Sequence, residues 1–491
     1  MIIKSDPDTI RSYFEDSSNL KGGFADEVVY PEEIEEMSLF LEECSKKRIP
    51  VTVSGGGTGT TGSRIPFGGA VISTERLNKI IHISKQDSSC VVQAGVLAED
   101  VRKACEREGL FYTSHPTETT ASIGGTVATN ASGARSFKYG STRRYVKRLK
   151  MVLSNGEILE IKRGQHTLTK KDSRLVLAGG SKLEIPLPAY RMPEVKNSAG
   201  YFVKDEMDAI DLFIGQEGTL SIVIEIELGL VRRPEKIFSL FVFFKQEESA
   251  WNFTQDVRKH AKSHSDNSSN LDILSIEYFD SNALRILRDV GANIPGGRSA
   301  AIFLEEVTAN ESSPALWERL ISKHNASMDD TWVAMNESES DKFTKLRHLL
   351  PEAVNDIVRQ RGSQKLSTDI AVPEKNAHEM FSYYRDVFRT NIIEHAIFGH
   401  IGENHLHINL FPKSEGEMPY AKKICLDFVK KGVSLGGTVS AEHGIGKTKH
   451  EYLEVMYGKE AILEMAMLKK SLDASLILGL DNIFPKEYLG I

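Results

Sequence analysis

The stretch that most narrows the fold is SGGGTGTTG at residues 54–62, which follows a short apolar strand over 49–53 and carries the GxGxxG spacing at Gly57, Gly59 and Gly62. A dinucleotide fold of the Rossmann kind needs a helix at once after such a loop, because the pyrophosphate rests on that helix's N-terminus. Here Arg64, Pro66, Gly68 and Gly69 lead instead into Ala-Val-Ile-Ser at 70–73, another strand. What survives is a glycine-rich strand–loop–strand whose bare backbone N–H groups can cradle a diphosphate with no helix dipole behind them. Five glycines and three threonines exceed what a tight turn requires.

Around this loop the first half alternates short elements. The pattern predicts a helix over 31–47, a strand over 90–95 and a helix over 97–108 closed by Gly109. Next comes HPTETTASIGGTVATNASG at 115–133, where almost no bulky side chain intervenes and backbone and hydroxyls can pack directly on a flat or extended ligand. Strands over 146–154 and 157–162 are joined by Asn155-Gly156, a strong hairpin signal; 183–211 reads as an irregular insertion and 223–230 as an alternating strand. From residue 234 the pattern gives strands at 238–244, 275–279 and 299–305, helices at 248–264, 313–324 and 342–361, a polar linker at 265–270 and a strand-like 365–373. That order suggests an α+β domain with helices on one face of a mainly antiparallel sheet.

The chain's 491 residues allow two or three domains, and a net charge of −7 with a pI near 6.1 leaves no electrostatic footprint for nucleic acid or an anionic membrane. Cys44, Cys90, Cys105 and Cys425 lack CxxC spacing, so neither a disulfide framework nor an iron–sulfur site is expected. With no signal-peptide pattern, and 237–244 as the most apolar run, the expectation is a cytoplasmic protein with at most peripheral contact at the inner membrane face.

The chemistry concentrates in FGHIGENHLHINLF at 398–411. If 406–410 is a strand, alternation puts His405, His407 and Asn409 on one face, while Gly399 and Gly402 free the turn that brings His400 alongside. Gathered imidazoles suit a borderline divalent cation such as zinc, manganese or iron. Later, SAEHGIGK at 440–447 can supply a carboxylate ligand, Glu442, and a histidine, His443.

GGGTGTTG, the small-residue stretch through FKYG, GQEGTLSI at 215–222, FGHIGENHLH and SAEHGIGK, in that order, resemble the vanillyl-alcohol oxidase/p-cresol methylhydroxylase flavoproteins in their 2-hydroxyacid branch: D-lactate dehydrogenases, glycolate oxidase flavin subunits and D-2-hydroxyglutarate dehydrogenase. The resemblance implies a two-part FAD-binding domain of the p-cresol methylhydroxylase type over 1–233, an α+β cap over 234–449 and a C-terminal helical segment, 450–491, returning to the FAD domain. It places the FAD diphosphate on Gly55, Gly56, Gly57, Thr58, Gly59 and Thr60. The ribityl chain and isoalloxazine fall along Pro116, Thr117, Ser122, Gly124, Gly125, Thr129, Asn130 and Gly133, with Glu217, Gly218 and Ile222 near the adenine end. Without a histidine in the first loop, FAD is expected to be non-covalent; His115 is the alternative attachment point. The resemblance makes His400, His407 and Glu442 the metal ligands and leaves out His405, which stands where relatives commonly have asparagine. Arg347 is the implied carboxylate clamp, with Lys365 the weaker candidate.

Removing hydride from a 2-hydroxyacid requires a base within hydrogen-bond reach of the hydroxyl. His443 is the expected base, Asn409 a substrate contact and flavin N5 the hydride acceptor. Expected partners are a small 2-hydroxyacid and an acceptor of quinone, cytochrome or electron-transfer-flavoprotein type, with a homodimer allowed. The competing readings are a non-redox transferase of the alkyl-glycerone-phosphate synthase type, a colourless zinc hydrolase and a flavoprotein without turnover.

Overall fold

The structure, a computed structural model, describes residues 1–114, 116, 118–176, 182–262, 271–307, 313–362 and 366–491. The chain divides into two compact units. The first comprises Met1–Gly133, Ser141–Arg233 and Thr438–Ile491; the second comprises Ala134–Gly140 and Pro234–Gly437.

The first unit is built on two sheets. In one, Glu27–Tyr30 and Val51–Ser54 run parallel to either side of Ala70–Ser73, and Ile2–Lys4 adds an antiparallel edge. The other is antiparallel, in the order Ile80–Ser84, Ser89–Gln93, Ile222–Gly229, Val146–Val152 and Ile158–Lys162. The helix Ile34–Lys47 turns Met37, Leu41 and Cys44 inward, where they meet Val51, Ile72, Ile222 and Ile224 in a shared core. It stops at Arg48, which adopts φ 54° and so breaks the helical path. The hairpin expected at Asn155-Gly156 is present, with Val152 opposite Ile158.

The C-terminal segment finishes this unit. Its helix, His450–Leu472, is two helical pieces that meet at a kink at Gly458, where φ is 78°. Beyond it, Leu478 bridges Val51, and the fully buried Lys469 Nζ reaches Thr219 O, Leu478 O and the Asp473 carboxylate at 2.7–2.8 Å. Residues 438–449 also hydrogen-bond inside this unit: Lys447 N donates to Thr61 O and Ser198 N to Ser440 O. The unit boundary therefore falls after Gly437 rather than after residue 449.

The second unit is an antiparallel sheet of eight strands, in the order Trp332–Ala334, Ile237–Phe244, Ala300–Val307, Ile273–Asp280, His395–Gly399, His405–Leu410 and Leu366–Ser367, with Ile370–Ala371 also on His405–Leu410. Its helices cover both faces, not one. Phe241, Phe243, Phe279 and Phe303 pack on Leu284, Leu287, Leu350 and Val354 from the helices Ser281–Asp289 and Glu337–Gln360. Phe244 points the other way and packs against Phe253 of the helix Glu247–Lys262, the rings tilted at 51°. The helices Ser281–Asp289, Ala377–Thr390 and Met418–Ser434 were not anticipated. Asp280 starts the first of them by accepting from Ala283 N at 2.7 Å. The linker expected at 265–270 lies outside the described residues. Among the described residues no helix is long and apolar enough to cross a membrane, and all four cysteines are free and buried.

Candidate active site

Two groups of residues carry the chemistry, one in each unit. In the first unit the loop after Val51–Ser54 lies directly on residues 120–125. A Cβ on Gly55 would stand 2.4 Å from Ser122 Oγ and one on Gly56 2.2 Å from Thr120 O, so only glycine permits this approach. Ser122 caps the short helix Ile123–Ala128 through a 3.2 Å bond from Gly125 N, while Gly124 lies bare against Ala94, where a Cβ would meet Ala94 Cβ at 2.7 Å. Thr129 Oγ1 donates to Gly125 O, and Asn130, at φ 49°, accepts from Arg143 N through Oδ1. Gly57, Thr58, Gly59 and Thr60 continue the loop, and Pro116 and Gly133 belong to the same unit. Thr117, His115 and Lys365 lie outside the described residues.

Three buried hydroxyls here, on Thr113, Ser114 and Ser132, meet no hydrogen-bond partner among the described residues. Buried polar groups are normally satisfied, so a bare backbone cradle beside them fits a polar, extended group such as the phosphates and ribityl chain of FAD. Glu217 has a different immediate task. At φ 52°, it accepts from Ser63 Oγ at 2.6 Å and from Ile445 N and Gly446 N at 2.8 Å each, bracing the 440–447 loop. Burial raises its pKa against those three bonds. In the same loop Glu442 lies buried with Lys196 Nζ 3.5 Å away, and His443 is half-buried beside it. Burial also pushes the Lys447 ammonium down to about 8, although Asp481 and Glu217 oppose the shift.

In the second unit the hairpin His395–Gly399/His405–Leu410 gathers the histidines. Gly399 turns at φ 126°, and the 3-10 turn Ile401–Glu403 passes so close to Phe137 and Ile276 that Gly402 has no room for a side chain. Ring centroids of His400 and His405 stand 5.4 Å apart, of His400 and His407 5.8 Å, and of His405 and His407 4.5 Å. One nitrogen from each of the three lies within 4.8 Å of the others. Asn409, one alternation further along the strand, is buried with Nδ2 3.4 Å from His407 O.

Carboxylates adjoin this trio. Glu277 Oε1 accepts from His400 Nδ1 at 2.9 Å and from Arg347 Nη2 at 3.1 Å, so Arg347 reaches the site by way of Glu277. Burial would raise the Glu277 carboxyl, but Arg347 and His400 outweigh it and hold it well below the ordinary glutamate value. Glu305, on the next strand, takes Arg135 in a two-pronged pair at 2.7 and 2.9 Å. Asp369 Oδ1 stands 2.9 Å from His405 Nε2; the break between Leu366–Ser367 and Ile370–Ala371 carries Asp369 to that position. Sequence reasoning passed over Glu277 and Asp369. The signal for Glu277 was a carboxylate inside an apolar strand, since every residue of Ile273–Asp280 is buried.

Comparison with known proteins gives the family. Residues 25–162 match the family described as "FAD binding domain" and residues 233–479 that described as "FAD linked oxidases, C-terminal domain". Among curated proteins, the glycolate oxidase subunit GlcD of Bacillus subtilis is 28% identical, covering 94% of this chain and 89% of its own. The D-2-hydroxyglutarate dehydrogenase of Stutzerimonas stutzeri is 25% identical, covering 98% and 96%. Among solved structures, a 4-ethylphenol oxidase from Gulosibacter chungangensis superposes with a TM-score of 0.67 at 14% identity, covering 99% of this chain and 95% of its own. An alkyldihydroxyacetonephosphate synthase reaches 0.66 at 15% identity, covering 97% and 81%; at such identities the likeness concerns the fold alone. The chain belongs to the FAD-linked oxidases of the vanillyl-alcohol oxidase/p-cresol methylhydroxylase superfamily, on the branch occupied by proteins named glycolate oxidase, D-lactate dehydrogenase and D-2-hydroxyglutarate dehydrogenase.

Proposed function

We propose that this enzyme oxidises a D-2-hydroxyacid of the lactate, glycolate or 2-hydroxyglutarate type to the 2-oxoacid, using FAD and a divalent cation. The observation that carries the reading is the histidine trio with Glu277 and Asp369 beside it, in a chain whose other unit offers a glycine cradle beside buried hydroxyls that meet no partner among the described residues. FAD supplies a two-electron sink that takes hydride at N5. Zinc, manganese or iron, held by His400, His407 and Glu442, supplies Lewis-acid polarisation of a hydroxyl.

The chain's own groups do the rest. His443 takes the hydroxyl proton, so that loss of hydride from C2 leaves a neutral carbonyl rather than a cation. Asn409 orients the substrate oxygens, and Arg347, with Lys365, binds the carboxylate, the planar guanidinium being suited to two-pronged recognition. Glu277 fixes Arg347 and the His400 ring together, so that clamp and ligand share one anchor. Gly55 to Thr60 hold the diphosphate on main-chain N–H groups. Reoxidation falls to an acceptor of quinone, cytochrome or electron-transfer-flavoprotein type.

The test is the visible spectrum of the purified protein, recorded anaerobically before and after a panel of D-2-hydroxyacids, with a chelated sample in parallel. Flavin bands that bleach with one acid, and persist with the same acid after chelation, are the expected result. A colourless protein that takes up no added FAD rejects the reading. The cradle has its own check: in Gly56→Ala the new methyl meets Thr120 O at 2.2 Å, which is expected to cost about 1–3 kcal/mol and to lower flavin content measured at 450 nm. Unchanged flavin loading would remove Gly56 from the cofactor site.

A further inference from the structure

We propose that His405 is a third imidazole ligand beside His400 and His407, so that the cation site of this chain has three histidines from a single unit; the proposal rests on the cation reading above. His405 is fully buried, Asp369 is nearly so, and His405 Nε2 stands 2.9 Å from Asp369 Oδ1. Ligating histidines regularly carry a carboxylate on the ring nitrogen turned away from the metal, which fixes the tautomer and raises the basicity of the coordinating nitrogen. His400 carries such a carboxylate, Glu277, at 2.9 Å from Nδ1. His407 completes the group, its ring centroid 4.5 Å from that of His405 and 5.8 Å from that of His400.

A core histidine serving packing alone fits less well. Three imidazoles with nitrogens within 4.8 Å of one another turn like groups together, and carboxylates buried behind two of them add desolvation cost that a cation at the centre offsets. Asp369 is then a positioning residue acting through His405.

The experiment uses the FAD-loaded, metal-stripped enzyme and zinc as probe, comparing wild type, His405→Asn and Asp369→Asn. Zinc affinity is read by competition with a chromophoric chelator, and coordinated imidazoles are counted by X-ray absorption at the zinc edge. Flavin content and circular dichroism check that each variant is folded. The expected result is three imidazoles in the wild type and two in His405→Asn, with affinity lower by on the order of 100-fold. Asp369→Asn is expected to keep three imidazoles and lose about 10-fold. Equal affinities and two imidazoles in both the wild type and His405→Asn would overturn the assignment and leave the cation reading standing. A wild type that takes up no zinc would overturn both.

Discussion

His443→Asn is expected to purify with its full complement of flavin and to reduce that flavin about a thousandfold more slowly than the wild type when mixed anaerobically with the preferred hydroxyacid. Positioned general bases contribute roughly 10²–10⁴-fold. The upper part of that range applies here because the alternative, hydride loss from an intact hydroxyl, places positive charge on C2. His443 stands in a loop held from three sides: Glu217 takes Ile445 N and Gly446 N, Thr61 O takes Lys447 N, and Ser440 Oγ donates to Gly444 O. Those bonds are main-chain or distant from the imidazole, so the loop keeps its course when the ring is replaced. Stopped-flow absorbance at 450 nm gives the rate, and a product-binding titration separates affinity from chemistry. A reduction rate close to that of the wild type would dismiss His443 as the base.

Glu277→Ala carries the second large effect, and it falls on stability as well as on the site. The substitution strips a buried guanidinium and a buried imidazole of their shared acceptor, and removing one partner from such a pair typically costs about 3–5 kcal/mol. All three tryptophans, Trp251, Trp317 and Trp332, belong to the second unit, so urea unfolding followed by tryptophan fluorescence reports on that unit. Glu277→Gln, which retains an oxygen acceptor, is expected to unfold between the two. The effect has a pH signature. Because the folded state depresses this carboxyl below its ordinary value of 4.5, the stabilisation is complete above that value and fades as acid protonates it, so wild type and variant converge in acid. A constant gap from pH 7 down to pH 3 would mean that packing rather than charge accounts for the loss.

Much of this site was readable before any coordinates. Alternation along 405–409 sufficed to put His405, His407 and Asn409 together, because a strand's period of two is a local property. The failure of 54–62 to lead into a helix was equally local, and the strand Ala70–Ser73 follows it. Glu277 and Asp369 escaped for the opposite reason: each meets its histidine across more than thirty residues of chain, through register that no short window encodes. The helix Ile123–Ala128 escaped because glycine and threonine favour it poorly; the Ser122 cap and the packing of Gly124 on Ala94 hold it in place. The division of helices between both faces of the sheet was missed because a strand buried on both sides, such as Ile237–Phe244, reads as a continuous apolar run and names no side.

The way the chain passes between its units bears on biosynthesis. Residues 1–133 and 141–233 leave the ribosome early, but Leu478 beside Val51, and Lys469 beneath Thr219, arrive only with the last segment. Domains made first usually fold first during synthesis. Here the flavin unit is begun first and closed last, after the whole of 234–437 has emerged, so a nascent chain or a C-terminally truncated one carries an open core at its N-terminal half and calls for chaperone protection there.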